Sequence, residues 1–155
     1  MIVLDTHAWL WWVSGDPSLS RTAEREIRAA KRIGVSAISC LEVAVAEARG
    51  RIELDRPLLL WLEEALALPR VELLPLTPAV AVRASRFGRD FPGDPADRVI
   101  VATALLEPAV LVTRDGKIRE YPGVETAWSR SPLLDVAEAL QLLEDVLVEV
   151  ALGRA

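Results

Sequence analysis

Residues 2–12 read IVLDTHAWLWW, and the break at Asp5 decides how the rest of the chain is read. Ile2–Asp5 reads as a short buried strand. Thr6–Val13 has helical character, and Gly15-Asp16-Pro17 breaks it. A strand that ends in a carboxylate and runs straight into a helix sets that carboxylate at a sheet edge. There it either caps the helix or serves a ligand.

Working outward, the same alternation continues. Arg21–Lys31 reads as a polar helix with Ser20 as its N-cap, and Val35–Ile38 as a second strand. SCLEVAVAEARG is a helix with Ser39 capping one end and Gly50 closing the other. Pro57–Leu68 is a leucine-rich helix ended near Pro69, and Val71–Leu76 a third strand. Thr77–Phe87 is a helix opened by Pro78, and GDPADRVIVATALLE is another. Ala109–Thr113 is a fourth strand and Val124–Trp128 a fifth. Pro132–Leu152 reads as a final amphipathic helix, with Leu133, Val136, Leu140, Leu143 and Leu147 on one stripe. Strands alternating with helices imply an α/β fold: a parallel sheet of four to five strands, right-handed crossovers, and helices on both faces.

A length of 155 residues suits one domain, and 52% hydrophobic residues supply its core without disulfides or structural metal. Cys40 is the single cysteine, which excludes an internal disulfide and fits a reducing compartment. The N-terminus lacks a basic region and carries Asp5 within its apolar run, unlike a signal peptide. No stretch reaches the ~18 consecutive apolar residues of a membrane helix. A soluble, cytoplasmic protein is expected. The net charge of −5 argues against a non-specific nucleic-acid coat, yet not against an enzyme that meets phosphates through bound cations. Arg21, Arg25, Arg28, Lys31 and Arg32 recur at helical spacing and read as a solvated face.

In parallel sheets, chemistry gathers beyond the C-terminal strand ends. Four acids meet that condition: Asp5 after the first strand, Glu42 in the first turn after the second, Asp97 in the first turn before the fourth, and Asp115 after the fourth. Asp97 belongs with the others only if the segment Phe87–Gly93 carries the chain back to the active edge. Each acid also has an ordinary use. Ser39-x-x-Glu42 matches a capping box, Asp94-Pro95-Ala96-Asp97 matches a cap with an acid at the third position, and Asp115-Gly116 matches a turn. As a set they mean more. Four ionised carboxylates packed together repel, and a divalent ion relieves the repulsion. Hard oxygen donors without a histidine or thiolate cluster suit Mg²⁺ or Mn²⁺ rather than zinc.

The segments VLDTHAWLWW, SAISCLEVAVAEARGRIEL, DPADRVIVATA and LVTRDGKIREYPGVETAW together resemble, in order and spacing, the PIN-domain nucleases, and above all the VapC-type toxins of bacterial toxin–antitoxin pairs. The resemblance covers residues 1–128 as a nuclease domain and leaves 129–155 as a C-terminal helical extension, packed on the same domain or forming an interface. It implies a three-layer α/β/α sandwich and an Mg²⁺- or Mn²⁺-dependent endoribonuclease. It implies an acidic pocket of Asp5, Glu42, Asp97 and Asp115, with Thr6, Ser39 and Thr113 as supporting hydroxyls. It implies RNA as substrate, a cognate antitoxin that blocks the pocket, and a homodimer. Around the DP pair this chain reads FPGDPADR, where relatives often carry histidine, arginine and a bulky aromatic; the difference bears on substrate choice.

Two other functions compete. One is a catalytically silent binding module that docks a basic partner in the acidic pocket. The other is a phosphatase or phospho-receiver, against which stand His7 where a second aspartate is wanted and the lack of a late lysine after a strand. His7, the sole histidine, reads as a helix-surface residue. Trp9 and Trp12 read as packing residues, with base stacking the alternative. Asp94 reads as an N-cap, with a fifth pocket acid the alternative, Cys40 as a small buried hydrophobe, and Arg98, Arg114 and Lys117 flank the acids as possible phosphate contacts.

Overall fold

The computed structural model describes residues 1–91 and 93–128. The helix expected over 132–152 and the extension 129–155 lie outside the described residues. Five strands form one sheet: β1 (Ile2–Leu4), β2 (Ile33–Ser36), β3 (Val71–Leu74), β4 (Val110–Val112) and β5 (Thr126–Ala127). Their order is β3-β2-β1-β4-β5, and every pairing is parallel. Among the described residues, no helix is long and apolar enough to cross a membrane.

The helices are α1 (Thr6–Ser14), α2 (Arg21–Ala29), α3 (Ala37–Ala48), α4 (Leu58–Leu66), α5 (Pro78–Ser85), α6 (Pro95–Leu106) and α7 (Gly116–Glu120). Strand periodicity splits the interior into two cores. On one face Ile2 and Leu4 pack with Trp9 of α1, Ile27 of α2 and Trp61 of α4. On the other, Val3 packs with Val80 of α5, Ile100 of α6 and Ile118 of α7. A sheet between two helical layers is the expected α/β/α sandwich.

Local chemistry explains most element boundaries. Ser20, Thr77 and Asp94 cap α2, α5 and α6 through side-chain oxygens, with Pro78 and Pro95 opening the latter two. Gly15 closes α1 at φ 66°, in the left-handed region that favours glycine. The polar helix α2 buries Thr22, Ala23 and Ile27 and leaves Arg21, Arg25 and Arg28 exposed, as a solvated face should.

Three local readings are corrected. The second strand is Ile33–Ser36, not Val35–Ile38, and α3 begins at Ala37. Gly34 looks like a strand breaker but fits β2, where a Cβ would stand 2.5 Å from Cδ1 of Leu74 and the leucine side chain would have to move. The N-cap of α3 is therefore Ser36, without a side-chain cap bond. Ser39 and Glu42 lie inside the helix and form no capping box. The third correction is α7, a five-residue helix that Asp115 caps where a simple turn was expected.

Candidate active site at the ends of β1 and β4

The strand order reverses beside β1: the chain steps outward through β2 and β3, then returns to place β4 on the opposite side. Such a switch point leaves a crevice at the C-terminal strand ends. Leu4 is in register with Val112, and the Asp5 N–H donates to the Val112 carbonyl at 3.0 Å, so Asp5 and Asp115 leave adjacent strands side by side. A cavity of about 500 Å³ opens there, lined by Asp5, Thr6, His7, Trp11, Glu42, Asp94, Asp97, Ile100, Arg114 and Asp115. All four acids picked from the sequence meet in it.

Asp97 reaches the cavity because the chain climbs back to this edge between α5 and α6. Arg98 clamps the climb: its guanidinium donates to the carbonyls of Phe87 (3.0 Å), Gly88 (3.3 Å) and Phe91 (3.4 Å). Phe87 stacks on Phe91 at 4.2 Å, and Tyr121 stands edge-on to both. Arg98 is thus a structural residue rather than a member of the cavity lining.

Three of the carboxylates are oriented by backbone donors. Asp5 Oδ1 accepts from the Ala8 N–H at 2.7 Å and Asp115 Oδ1 from the Ile118 N–H at 3.0 Å, so both cap a helix while facing the cavity. Asp94 does the same through the Ala96 N–H at 2.8 Å. Capping and cavity lining are not alternatives here, because a monodentate cap leaves the second oxygen open.

The three hydroxyl residues sit behind the acids, and all are buried. Thr6 donates to Glu42 Oε2 and lies 2.9 Å from Ser39 Oγ. A hydroxyl has one proton to give, so with Thr6 bound to Glu42 the Ser39 hydroxyl is the donor in their own contact. Thr113 hydrogen-bonds the Asp5 carboxylate and accepts from the Asp115 N–H at 3.1 Å, tying the two strand-end acids together.

Electrostatics follow from crowding. Burial raises the carboxyl of Asp97 most, and Asp94, Glu42, Asp115 and Asp5 push it further, to about 7. Burial likewise raises Glu42 against the pull of its Thr6 hydrogen bond. Burial raises Asp5 against its bonds from Thr113 and Ala8. A pocket of hard oxygen donors, short of positive charge and with its carboxyls raised by burial and crowding, is chemically suited to a divalent cation. The carboxylates line the cavity wall rather than converge: among the described residues, no three acid, histidine or cysteine side chains form a ready-made ion cage.

Four lining residues lie outside the acids, hydroxyls and flanking cations picked from the sequence: His7, Trp11, Asp94 and Ile100. Asp94 reads as an N-cap in preference to a fifth pocket acid, and it is both. His7 was placed on the helix surface, and it is exposed, but it borders the cavity. Trp11 went unnoticed, though it stands one helical turn beyond His7, with ring centroids 5.5 Å apart. Trp9 is fully buried against Trp61, which removes it as a base-stacking surface.

A family model described as the PIN domain matches residues 2–124. Ribonuclease VapC22 of Mycobacterium tuberculosis is 38% identical over 129 residues, spanning 82% of this chain and 98% of that one. The crystal structure of VapBC2 from Rickettsia felis bound to a DNA fragment from its promoter aligns with TM-score 0.62 at 17% identity, covering 83% of this chain and all of the matched chain, 100%. A toxin–antitoxin complex from Klebsiella pneumoniae aligns with TM-score 0.57 at 23% identity, covering 80% of this chain and 95% of that one. Both solved structures share the fold.

Proposed function

The chain belongs to the PIN-domain family, and from that premise we propose that it is a metal-dependent endoribonuclease, the toxin of a toxin–antitoxin pair. The observation that carries this reading is the meeting of Asp5, Glu42, Asp97 and Asp115 in one cavity at the switch point. The likeness to a relative named a ribonuclease, spanning nearly all of that protein, supports the activity. The likeness to a toxin–antitoxin complex supports an antitoxin as partner.

In this reading the four acids hold Mg²⁺ or Mn²⁺. When bound, such an ion orients a phosphate and makes a coordinated water a better nucleophile for phosphodiester hydrolysis. The rest falls to the chain's own groups. Thr113 and the Ala8 N–H fix the Asp5 carboxylate, and Thr6 fixes Glu42. The Asp97 carboxyl, raised to about 7 by burial and its acidic neighbours, is poised between its two forms near neutral pH, and a bound cation would favour the ionised one. A cytoplasmic location accords with an RNA substrate. A homodimer is part of the same reading, with exposed Leu41 and Val45 on α3 and Val82 on α5 offering apolar surface.

The competing reading is a silent module that docks a basic partner on the same acids. Its one support is that the carboxylates are spread along the wall. A single experiment separates the two. Purified protein is incubated with a pool of structured and single-stranded RNAs in Mg²⁺, Mn²⁺ or EDTA, beside Asp5→Asn prepared identically. The nuclease reading expects cutting by the native chain alone and only with metal. Cutting that Asp5→Asn retains, or no cutting with any metal, favours the silent module.

A further inference from the structure

Arg114 presents an electrostatic puzzle. It leaves β4 one residue before Asp115 and stands in the lining of the acidic cavity, beside five carboxylates. A flexible cation so placed should fold down onto one of them, since opposite charges at ~4 Å attract by several kcal/mol near a protein surface. It does not: among the described residues, Arg114 forms no ion pair, whereas Arg28, Arg32 and Arg56 all do. Its guanidinium carbon lies instead 5.8 Å from the centroid of the Trp11 ring.

The ring has two aromatic neighbours. His7 lies 5.5 Å from Trp11 and Trp128 lies 5.7 Å from it, centroid to centroid. Trp128 is in turn pinned by its carbonyl, which accepts from the Ser20 hydroxyl at the start of α2. A planar, weakly hydrated guanidinium stacks on such a surface, while a compact ammonium does so less well. Arg114 itself is exposed, so its donors stay open to solution.

We propose that Arg114 is the residue that takes an RNA phosphate at the mouth of the site, and that Trp11 is a positioning residue that keeps the guanidinium off the carboxylates. The inference rests on the ribonuclease reading and adds to it how the polyanion is admitted. Five carboxylates outweigh one divalent ion, so an approaching phosphate meets net repulsion unless a fixed cation stands at the entrance. Were Arg114 paired with Asp5 or Asp115, it would both occupy the oxygens an ion needs and lose its own donors. Held over the Trp11 ring instead, it presents a fork that fits two phosphate oxygens. The other way out from Trp11 is closed to RNA by charge: the adjoining cavity carries Asp16, Glu53, Asp55 and Glu64, and its one arginine, Arg56, is bound to Asp55 and Glu64.

The test uses the full chain and a fluorescein-labelled single-stranded oligoribonucleotide of mixed sequence. Binding is read by anisotropy across a salt series with Ca²⁺ in place of Mg²⁺, and cleavage of the same RNA is read in Mg²⁺. Arg114→Gln should weaken binding about tenfold, lower the salt slope by about one, and raise KM while leaving kcat nearly intact. Arg114→Lys should lose as much despite its charge, because the ammonium is drawn to the acids. Trp11→Leu should match Arg114→Gln, Trp11→Phe should restore binding, and the Trp11→Leu/Arg114→Gln double variant should be no worse than either alone. An unchanged salt slope in Arg114→Gln, or full additivity of the two losses, overturns the proposal. Those results leave the nuclease standing if the native chain cuts RNA. A native chain that neither binds nor cuts RNA overturns both.

Discussion

Two cavities meet at His7 and Trp11, and they treat acidic side chains in opposite ways. The larger, about 780 Å³, lies between α1, α4 and the segment joining α3 to α4. Arg56 binds both Asp55 and Glu64 on its rim, and Asp16 accepts from the Ser18 N–H of its own turn. The smaller, about 500 Å³, holds five carboxylates, none of them in an ion pair among the described residues. Volume alone would point to the larger cavity. Uncompensated charge points to the smaller, because a fold tolerates crowded, half-buried acids only where they serve something.

The sharpest way to break this contrast is to neutralise one acid on each side. Asp97→Asn should lower metal-dependent RNA cleavage by roughly 10²–10³-fold, measured as initial rates on a substrate the native chain cuts. Glu64→Gln, on the larger cavity, should leave the rate unchanged. Equal losses would mean that the two sets of acids do not differ in role.

A smaller effect is expected one layer behind the acids. Thr113→Val keeps the shape of a buried strand end but removes the hydroxyl that steadies Asp5. Affinity for Mn²⁺ should fall about 10–100-fold, read by calorimetric titration. Unaltered affinity would reduce Thr113 to a strand-end hydrogen bond.

The smallest effect is on stability, and its sign follows from the proton on Asp97. A carboxyl raised from 3.8 to about 7 binds its proton more tightly in the folded chain than in the unfolded one. Its contribution is complete below the lower value and is lost as pH rises through the upper one. Asp5 and Glu42 are raised too and act in the same direction. Ion-free protein should therefore melt a few degrees lower at about pH 8 than at about pH 5, and Mn²⁺ should recover the difference at the higher pH. Melting temperatures that climb over that range without metal would contradict the crowding of the acids. The paired rim of the larger cavity supplies no such dependence.

Much of this was legible in the sequence. Alternating strands and helices gave the sandwich, and acids that directly follow strands were bound to share an edge once the sheet was parallel. The misreadings have local causes. Ser36 and Ser39 are equally good caps by type, and only the pairing of Ile33–Ser36 with Val71–Leu74 shows that the strand runs through to Ser36. That shift moves Glu42 out of the first turn, where Thr6 rather than a backbone cap holds it. The helix α7 has five residues, too few to display a period. Trp11 and Arg114 are far apart along the chain, and their contact exists only because β1 and β4 are neighbours. Tryptophans at nearby positions look alike in sequence, yet Trp9 turns into the core while Trp11 turns toward the rim.

The strand order also bears on how the chain is made. β1 and β2 are neighbours in space and early in synthesis, so Asp5 and Glu42 can be brought together first. Asp97 and Asp115 arrive only after the climb clamped by Arg98 has formed and β4 has slotted in beside β1, a contact between the two ends of the domain. Pairings that close so long a loop come late in folding. The pocket is therefore the last part of the domain to be completed: half of its acids wait on the strand that closes the sheet beside β1.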